Sequence, residues 1–169
     1  MTGGGGPRLV SALVGAVGLL AVAGCANGPD GANPQPSSLA TFSASQLDPA
    51  AYAAQIVRGT NDARVTEGLP KLAGSTCAQA AGRQRATNLI GNLGLRHASL
   101  GGVIADCTPS TTAAENLSRA TASAPAVMKA WLASPGHRSN LLDPALTQIG
   151  VGCVLDGKAM LCSQMFLGP

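Results

Sequence analysis

The sequence predicts an α+β domain in which helical segments precede a terminal pair of antiparallel strands. Helix-start signals stand at Asp48-Pro49, at Ser75 or Thr76, and at Ser123-Ala124-Pro125. Each supplies a side chain that can cap a helix, and two of them place proline in the first turn. The apolar runs 148–155 and 159–167 are typical of strands joined by a tight turn. Helices followed by a hairpin in one small domain favour the α+β class.

Glycine, proline and other turn-forming residues set the expected boundaries of the helices and loops. Helices are predicted from 49 to 67, from 75 to about 90, and from 123 to 131, where glycine or Ser-Pro-Gly ends the pattern. A long irregular segment is expected over 94–113, because glycine, proline, aspartate and threonine accumulate there. A short turn is expected over 137–142.

Composition excludes several classes of protein. The chain has 169 residues, a length that suits one domain, and only 11% are charged, against about 25% in an average globular protein. Aromatic residues make up 2% and the net charge is +3, so a stacking platform or basic stripe for nucleic acid is not expected. The hydrophobic fraction of 46% is too high for a disordered chain.

The first residues have the pattern of an export signal. Residues 9–23 are apolar and follow the lone charge Arg8, and the run is too short to span a bilayer. It ends in Val22-Ala23-Gly24-Cys25, which resembles the bacterial lipobox and implies acyl chains such as palmitate on Cys25. An ordinary cleaved signal with a chance cysteine is the alternative.

The lipobox interpretation divides the chain into three parts. Residues 1–24 are the signal peptide, and residues 25–46 are the lipidated cysteine and a flexible tether rich in proline, serine and asparagine. Residues 47–169 are the folded domain. The protein is therefore expected at the cell membrane, anchored by lipid on the extracytoplasmic face.

The cysteine count agrees with this location. Lipidation of Cys25 would leave four of the five cysteines, and an oxidising compartment favours two disulfides. Four cysteines allow three pairings. We favour Cys77–Cys107 and Cys153–Cys162.

The second disulfide selects one register for the terminal hairpin. A two-residue Gly157-Lys158 loop places 153 directly opposite 162, at a non-hydrogen-bonded pair where Cα atoms lie closest. An Asp156-Gly157 loop would instead place Cys153 opposite Met160. The pairing therefore favours the Gly-Lys loop.

One carboxylate has a setting that suggests a site. Glu115 stands among apolar neighbours and needs a partner there, and the two histidines of the chain, His97 and His137, are natural candidates. Two imidazoles and a carboxylate can hold a divalent metal such as zinc. The same trio can form a hydrogen-bonded network without metal.

These residues resemble a known family. The chain is similar to bacterial members of the CAP superfamily, which includes cysteine-rich secretory proteins, antigen 5 and plant pathogenesis-related proteins. The resemblance covers roughly 50–169. It is carried by Asn61-x-x-Arg64-x-x-x-Gly68-Leu69-Pro70-x-Leu72, His97, Ala114-Glu115-Asn116-Leu117, Trp131-Leu132-Ala133-Ser134-Pro135-Gly136-His137-Arg138-Ser139-Asn140-Leu141-Leu142 and Ile149-Gly150-Val151-Gly152.

The resemblance implies an α-β-α sandwich with a small antiparallel sheet, a terminal β-hairpin and a surface cleft lined by His97, Glu115 and His137. In animal and plant relatives two histidines and two acidic residues line this cleft and can hold a metal. Ser134 stands at the position of the second acid. Binding of lipids, sterols, peptides or metals and protease activity have been proposed for family members.

Three functions are compatible with the sequence. The first is a monomeric, non-catalytic binding module whose cleft, including Ser134 and Asn140, takes a lipid, a sterol-like molecule, a peptide or an envelope component. The second is a hydrolase with His97 or His137 as general base and a nearby serine, Ser99 or Ser134, as nucleophile. The third is a cluster that only stabilises the fold. The binding module is favoured because the chain combines a lipobox with a disulfide-stapled domain that has few catalytic-type groups. Neither Ser99 nor Ser134 lies in a nucleophile-elbow sequence.

Overall fold

The structure of the chain, a computed structural model, describes residues 48–169. The predicted signal peptide, the lipidation site Cys25 and the tether lie outside these residues. The elements in chain order are α1 (Pro49–Thr66), β1 (Ala73–Gly74), α2 (Thr76–Asn88), α3 (Gly101–Asp106), β2 (Thr112–Ala120), α4 (Ala124–Ala133), α5 (Pro135–Leu141), β3 (Gln148–Asp156) and β4 (Ala159–Gly168). None of the helices in this part of the chain has the length and hydrophobicity that crossing a bilayer requires.

The four strands form one sheet in the order β1-β3-β4-β2. β4 pairs antiparallel with β3, as predicted for the terminal hairpin, and also with β2, a strand that was not predicted from the sequence. The two-residue strand β1 pairs parallel with the start of β3, at Gln148 and Ile149. The sheet is therefore mixed, since β1 adds a parallel pair to the predicted antiparallel one.

Helices cover both faces of the sheet, which confirms the predicted sandwich. α1 and α4 pack on one face around a core that includes Ile56, Trp131 and Phe166. α2 lies on the other face and comes very close to β3, because a Cβ atom at Gly150 or Gly152 would overlap the α2 backbone. The absence of side chains at these two positions lets the helix rest directly on the strand.

The helix starts follow local capping chemistry. Asp48 accepts a hydrogen bond from the amide of Ala50 at 2.9 Å, and Ser75 accepts one from Ala78 at 3.2 Å. Pro49 occupies the first turn of α1, as predicted. These bonds satisfy amides that have no partner inside the helix.

Two expected boundaries are wrong. The segment 94–113 is not irregular throughout, because residues 101–106 form α3 and β2 begins at Thr112. The segment after Ser134 is a full helix, α5, and not a short turn. Pro135 both ends α4 and starts α5, since proline interrupts a helix interior but fits a first turn.

Both predicted disulfides are present. Cys77 and Cys107 tie α2 to the end of α3, and Cys153 and Cys162 join β3 to β4 with a Cα–Cα distance of 4.1 Å. The hairpin register pairs Asp156 with Ala159, which leaves residues 157–158 as the loop. The Gly-Lys loop is therefore confirmed.

Arg64 on α1 hydrogen-bonds the backbone of two neighbouring segments, the one after α1 and the one that starts at the end of α5. Its side chain is fully buried and its guanidinium donates only to backbone carbonyls, those of Pro70, Leu141, Asp143 and Leu146. A buried guanidinium needs many acceptors because it carries five donors and a charge. The motif that contains Arg64 thus braces the structure and lies apart from the candidate site.

Candidate functional site

The candidate site is centred on Glu115, in the middle of β2. Its side chain is 1% exposed, and four hydrogen bonds reach the carboxylate. Arg85 on α2 donates from Nε to Oε1 at 3.1 Å and from Nη2 to Oε2 at 3.0 Å. Ser163 on β4 donates to Oε1 at 2.8 Å, and His97 Nδ1 lies 2.8 Å from Oε2. Both oxygens of this buried carboxylate are therefore occupied.

Two opposing effects set the ionisation of Glu115. Burial raises the pKa of the carboxyl, but hydrogen bonds from Arg85, His97 and Ser163, with the charge of Arg85, outweigh it. The net result is a pKa below the ordinary glutamate value. Glu115 is thus a carboxylate at neutral pH, and it acts as an acceptor that holds its neighbours in place.

His97 lies at the surface end of this cluster. It stands on the exposed segment between α2 and α3, and 61% of its side chain is accessible. Since Nδ1 faces the carboxylate, the neutral ring carries its proton there and leaves Nε2 as a free acceptor. Glu115 therefore fixes both the orientation and the tautomer of His97.

His137 occupies the first turn of α5. Its Nδ1 lies 2.9 Å from Ser134 Oγ, and its ring stacks on Trp131 with centroids 5.9 Å apart and planes inclined by 24°. Burial lowers the pKa of His137, and the repulsion between its protonated ring and a protonated His97 acts in the same direction. His137 is thus a neutral, partly covered imidazole at pH 7. It does not bond the Glu115 side chain, so only His97 of the two expected partners does.

Amide side chains connect β2 to α5. Asn140 donates to the carbonyl of Glu115 at 3.1 Å and to Asn116 Oδ1 at 2.9 Å. Asn116 in turn donates to the carbonyl of His137 at 3.3 Å and to Gln164 Oε1 at 3.1 Å. These bonds hold the turn that carries His137 beside the strand that carries Glu115. Asn140 therefore has a positioning role in this structure.

The residues present do not fit a metal centre. The Arg85 guanidinium occupies both carboxylate oxygens, so a cation already stands where a metal would bind, and the position of a second acid is Ser134. Among residues 48–169 no group of three or more histidine, cysteine, aspartate or glutamate side chains is arranged to hold a metal ion. We therefore do not propose a zinc site at His97, Glu115 and His137.

The sequence interpretation missed three members of the site. Arg85 and Ser163 bond Glu115 across 30 and 48 residues of sequence, and no local pattern links them. A signal did exist for Ser163 and Gln164, because they are polar residues in the middle of an otherwise apolar strand. Such residues require buried partners.

Comparisons with known proteins agree with the geometry. The family model described as CAP, the cysteine-rich secretory protein family, matches residues 57–166. Over 57 residues the chain is 44% identical to the uncharacterized protein YkwD of Bacillus subtilis. A solved extracellular protein of Bacillus anthracis that contains an SCP domain is similar, with 26% identity and a TM-score of 0.62 over 73% of this chain. A solved outer surface protein of Borrelia burgdorferi has the same fold, with 17% identity and a TM-score of 0.65 over 72% of this chain and 96% of its own.

The chain spans only part of its relatives. The matched region is 34% of this chain and 21% of the B. subtilis protein, and the structural match covers 44% of the B. anthracis protein. The similarity therefore concerns the domain and not the whole of those proteins.

Proposed function

The chain belongs to the CAP family of cysteine-rich secretory proteins, and from this premise we propose that it is a non-catalytic binding module. The module would be held by lipid at Cys25 on the extracytoplasmic face of the cell membrane. Its ligand is an envelope lipid or peptide that presents a polar group to His97 and His137.

The observation that supports the proposal is that both carboxylate oxygens of Glu115 are occupied by hydrogen bonds. Arg85, His97 and Ser163 satisfy both of its oxygens, so the group stays ionised at neutral pH and has no oxygen free to hold a metal. Its effect is to orient the His97 imidazole, whose Nε2 remains open to solvent. The His97 ring is thus held in place by Glu115 through Nδ1 and exposes Nε2 to a ligand. Such an arrangement suits ligand recognition, because preorganised groups lose little entropy when a ligand binds.

The extracytoplasmic location rests on two supports. The two disulfides are typical of oxidising compartments. The B. anthracis relative, at 26% identity, is an extracellular protein.

Membrane attachment is tested by Cys25→Ser, which should release the protein from the membrane fraction. Retention of the variant would contradict the lipid anchor.

Ligand binding is tested by native mass spectrometry of the protein exported through the envelope of its own host. We expect an added lipid or peptide mass that His97→Ala and His137→Ala each remove. Arg96→Ala is the matched control, because Arg96 is exposed on the same segment and forms no ion pair in the described part of the chain. A bare protein, or a bound mass that both histidine variants retain, would contradict the proposal.

A hydrolase is the second candidate, and two observations favour it. A carboxylate bonded to Nδ1 of a histidine whose Nε2 is free is the arrangement that orients a general base. Ser134 Oγ, 2.9 Å from His137 Nδ1, also has the pairing that a serine nucleophile needs. Against the hydrolase, Glu115 orients His97 and not His137, and Ser99 Oγ accepts the amide of Gly101. A covalent serine probe that labels the protein, together with turnover that Glu115→Gln abolishes, would establish the hydrolase and exclude the binding module.

A further inference from the structure

A second surface of the domain lies at the opposite edge of the sheet from Glu115. In the strand order β1-β3-β4-β2, Glu115 stands on the outer strand β2, whereas β3 is covered by β1 only at Gln148 and Ile149. From Gly150 to Asp156, β3 has no strand beside it on that side within residues 48–169. We refer to this stretch as the open edge.

Along the open edge, alternate residues of β3 direct their unpaired backbone N–H and C=O groups away from β4. The carbonyl of Ile149 faces outward, since it accepts the amide of Ser75, and the groups of alternate residues face the same way in an antiparallel strand. Val151, Cys153 and Leu155 therefore direct their N–H and C=O groups away from β4. These groups have no strand partner among the residues that the structure describes. Leu155 is 44% exposed, whereas Val151 and Cys153 are 2% and 7% exposed, so an added strand would pair at Leu155 first and reach the deeper groups only as the groove widens.

The edge lies at the bottom of a groove between two helices. One part of the groove has a volume of about 670 Å³ and is lined by the first turn of α1, by α2 and by residues 151–155. An adjoining part of about 490 Å³ continues towards Gly150 and Ile149. The walls carry small residues, Ala50 and Ala53 on α1 and Ala80 on α2. A neighbouring strand would lie about 4.8 Å from β3, and these small side chains take up little of that space.

Charge at the rim indicates what kind of strand would fit. Arg83 and Arg58 line the two parts of the groove, both are exposed, and neither forms an ion pair in the described part of the chain. Asp48 is the acidic residue there, and its carboxylate caps α1. The adjoining segment 39–47 of this chain carries no charge. Complementarity thus favours an acidic peptide from another protein over the chain's own segment.

We propose that the open edge binds an extended acidic segment of a partner protein by strand addition. Main-chain hydrogen bonds to Val151, Cys153 and Leu155 would supply affinity, and Arg58 and Arg83 would select acidic side chains. This surface is separate from the histidine site, so the two proposals stand or fall independently.

Binding is tested with a displayed library of random linear nine-residue peptides selected on the full chain. We expect enriched peptides rich in Asp and Glu, with affinity lowered at least tenfold by Arg83→Glu and by Ala80→Trp, which fills the groove. Gln84→Trp is the matched control, because it adds the same side chain to an exposed α2 position outside the groove. Failure to enrich any peptide, or binding that both groove variants retain, would overturn the proposal.

Residue-resolved hydrogen exchange tests the mode of binding. In the free chain the amides of Val151, Cys153 and Leu155, which have no strand partner within 48–169, should exchange faster than those of Gly150, Gly152 and Val154, which pair with β4, and the exposed Leu155 should be the fastest. A selected peptide should protect only the first set. Protection of the exposed Leu155 amide without peptide would mean that the chain's own segment fills the edge, and it would overturn the assignment to a partner.

Discussion

Replacing Arg85 by methionine should destabilise the domain in a pH-dependent way. Arg85 is the cation that pairs with the carboxylate of Glu115, whose side chain is 1% exposed. Removal of Arg85 leaves the buried carboxylate with only the His97 and Ser163 hydrogen bonds and no paired guanidinium, which costs about 3 kcal/mol of unfolding free energy. For a domain of this size the melting temperature should fall by roughly 10 °C at pH 7.

The pH dependence follows from the direction of the Glu115 pKa. In the parent protein this pKa is below the ordinary value, so the ion pair stabilises the fold above the unfolded glutamate pKa, and that stability is lost as the pH falls through the folded pKa. In Arg85→Met the hydrogen bond and charge of Arg85 no longer oppose the effect of burial, so the pKa of Glu115 rises and protonation at low pH relieves the buried charge. The difference in stability between the two proteins should therefore shrink from pH 7 to about pH 4.

The assay is chemical denaturation at both pH values. Arg83→Met is the control, because it removes an exposed arginine from the same helix and should cost less than about 0.5 kcal/mol. Equal losses in the two variants at pH 7 would refute the assigned role of the ion pair. An undiminished loss from Arg85→Met at the lower pH would refute the electrostatic explanation.

Three further changes test how the fold is built. Arg64→Met leaves four backbone carbonyls without their donor and should cost about 3 kcal/mol or more in denaturation experiments. Gly152→Ala places a Cβ against the α2 backbone and should cost about 3 kcal/mol, whereas Gly136→Ala, which meets no atom, should leave the melting temperature unchanged or slightly higher. Loss of the Cys77–Cys107 bond, whose cysteines are 30 residues apart, should cost about 3.5 kcal/mol, and an unchanged melting temperature in the double serine variant would contradict this.

Local rules explain what could be predicted from the sequence. Asp48 and Pro49 set the start of α1 because capping involves only residues within one turn. The pairing of Cys153 with Cys162 follows from a two-residue loop, since the loop length fixes every pair along a short hairpin. These features, together with the motifs around Glu115 and His137, were sufficient to predict the sandwich and the family.

The tertiary structure alone decided the partners of Glu115 and the shape of the sheet edge. The sequence indicated a buried carboxylate that needed a partner, but Arg85 and Ser163 reach it from other elements, and no spacing rule connects them to it. The open edge of β3 likewise exists because β1 is only two residues long, so the next strand position is left uncovered. A side chain's need for a partner is a property of the residue, whereas the identity of that partner depends on which distant segments the packed layers bring together.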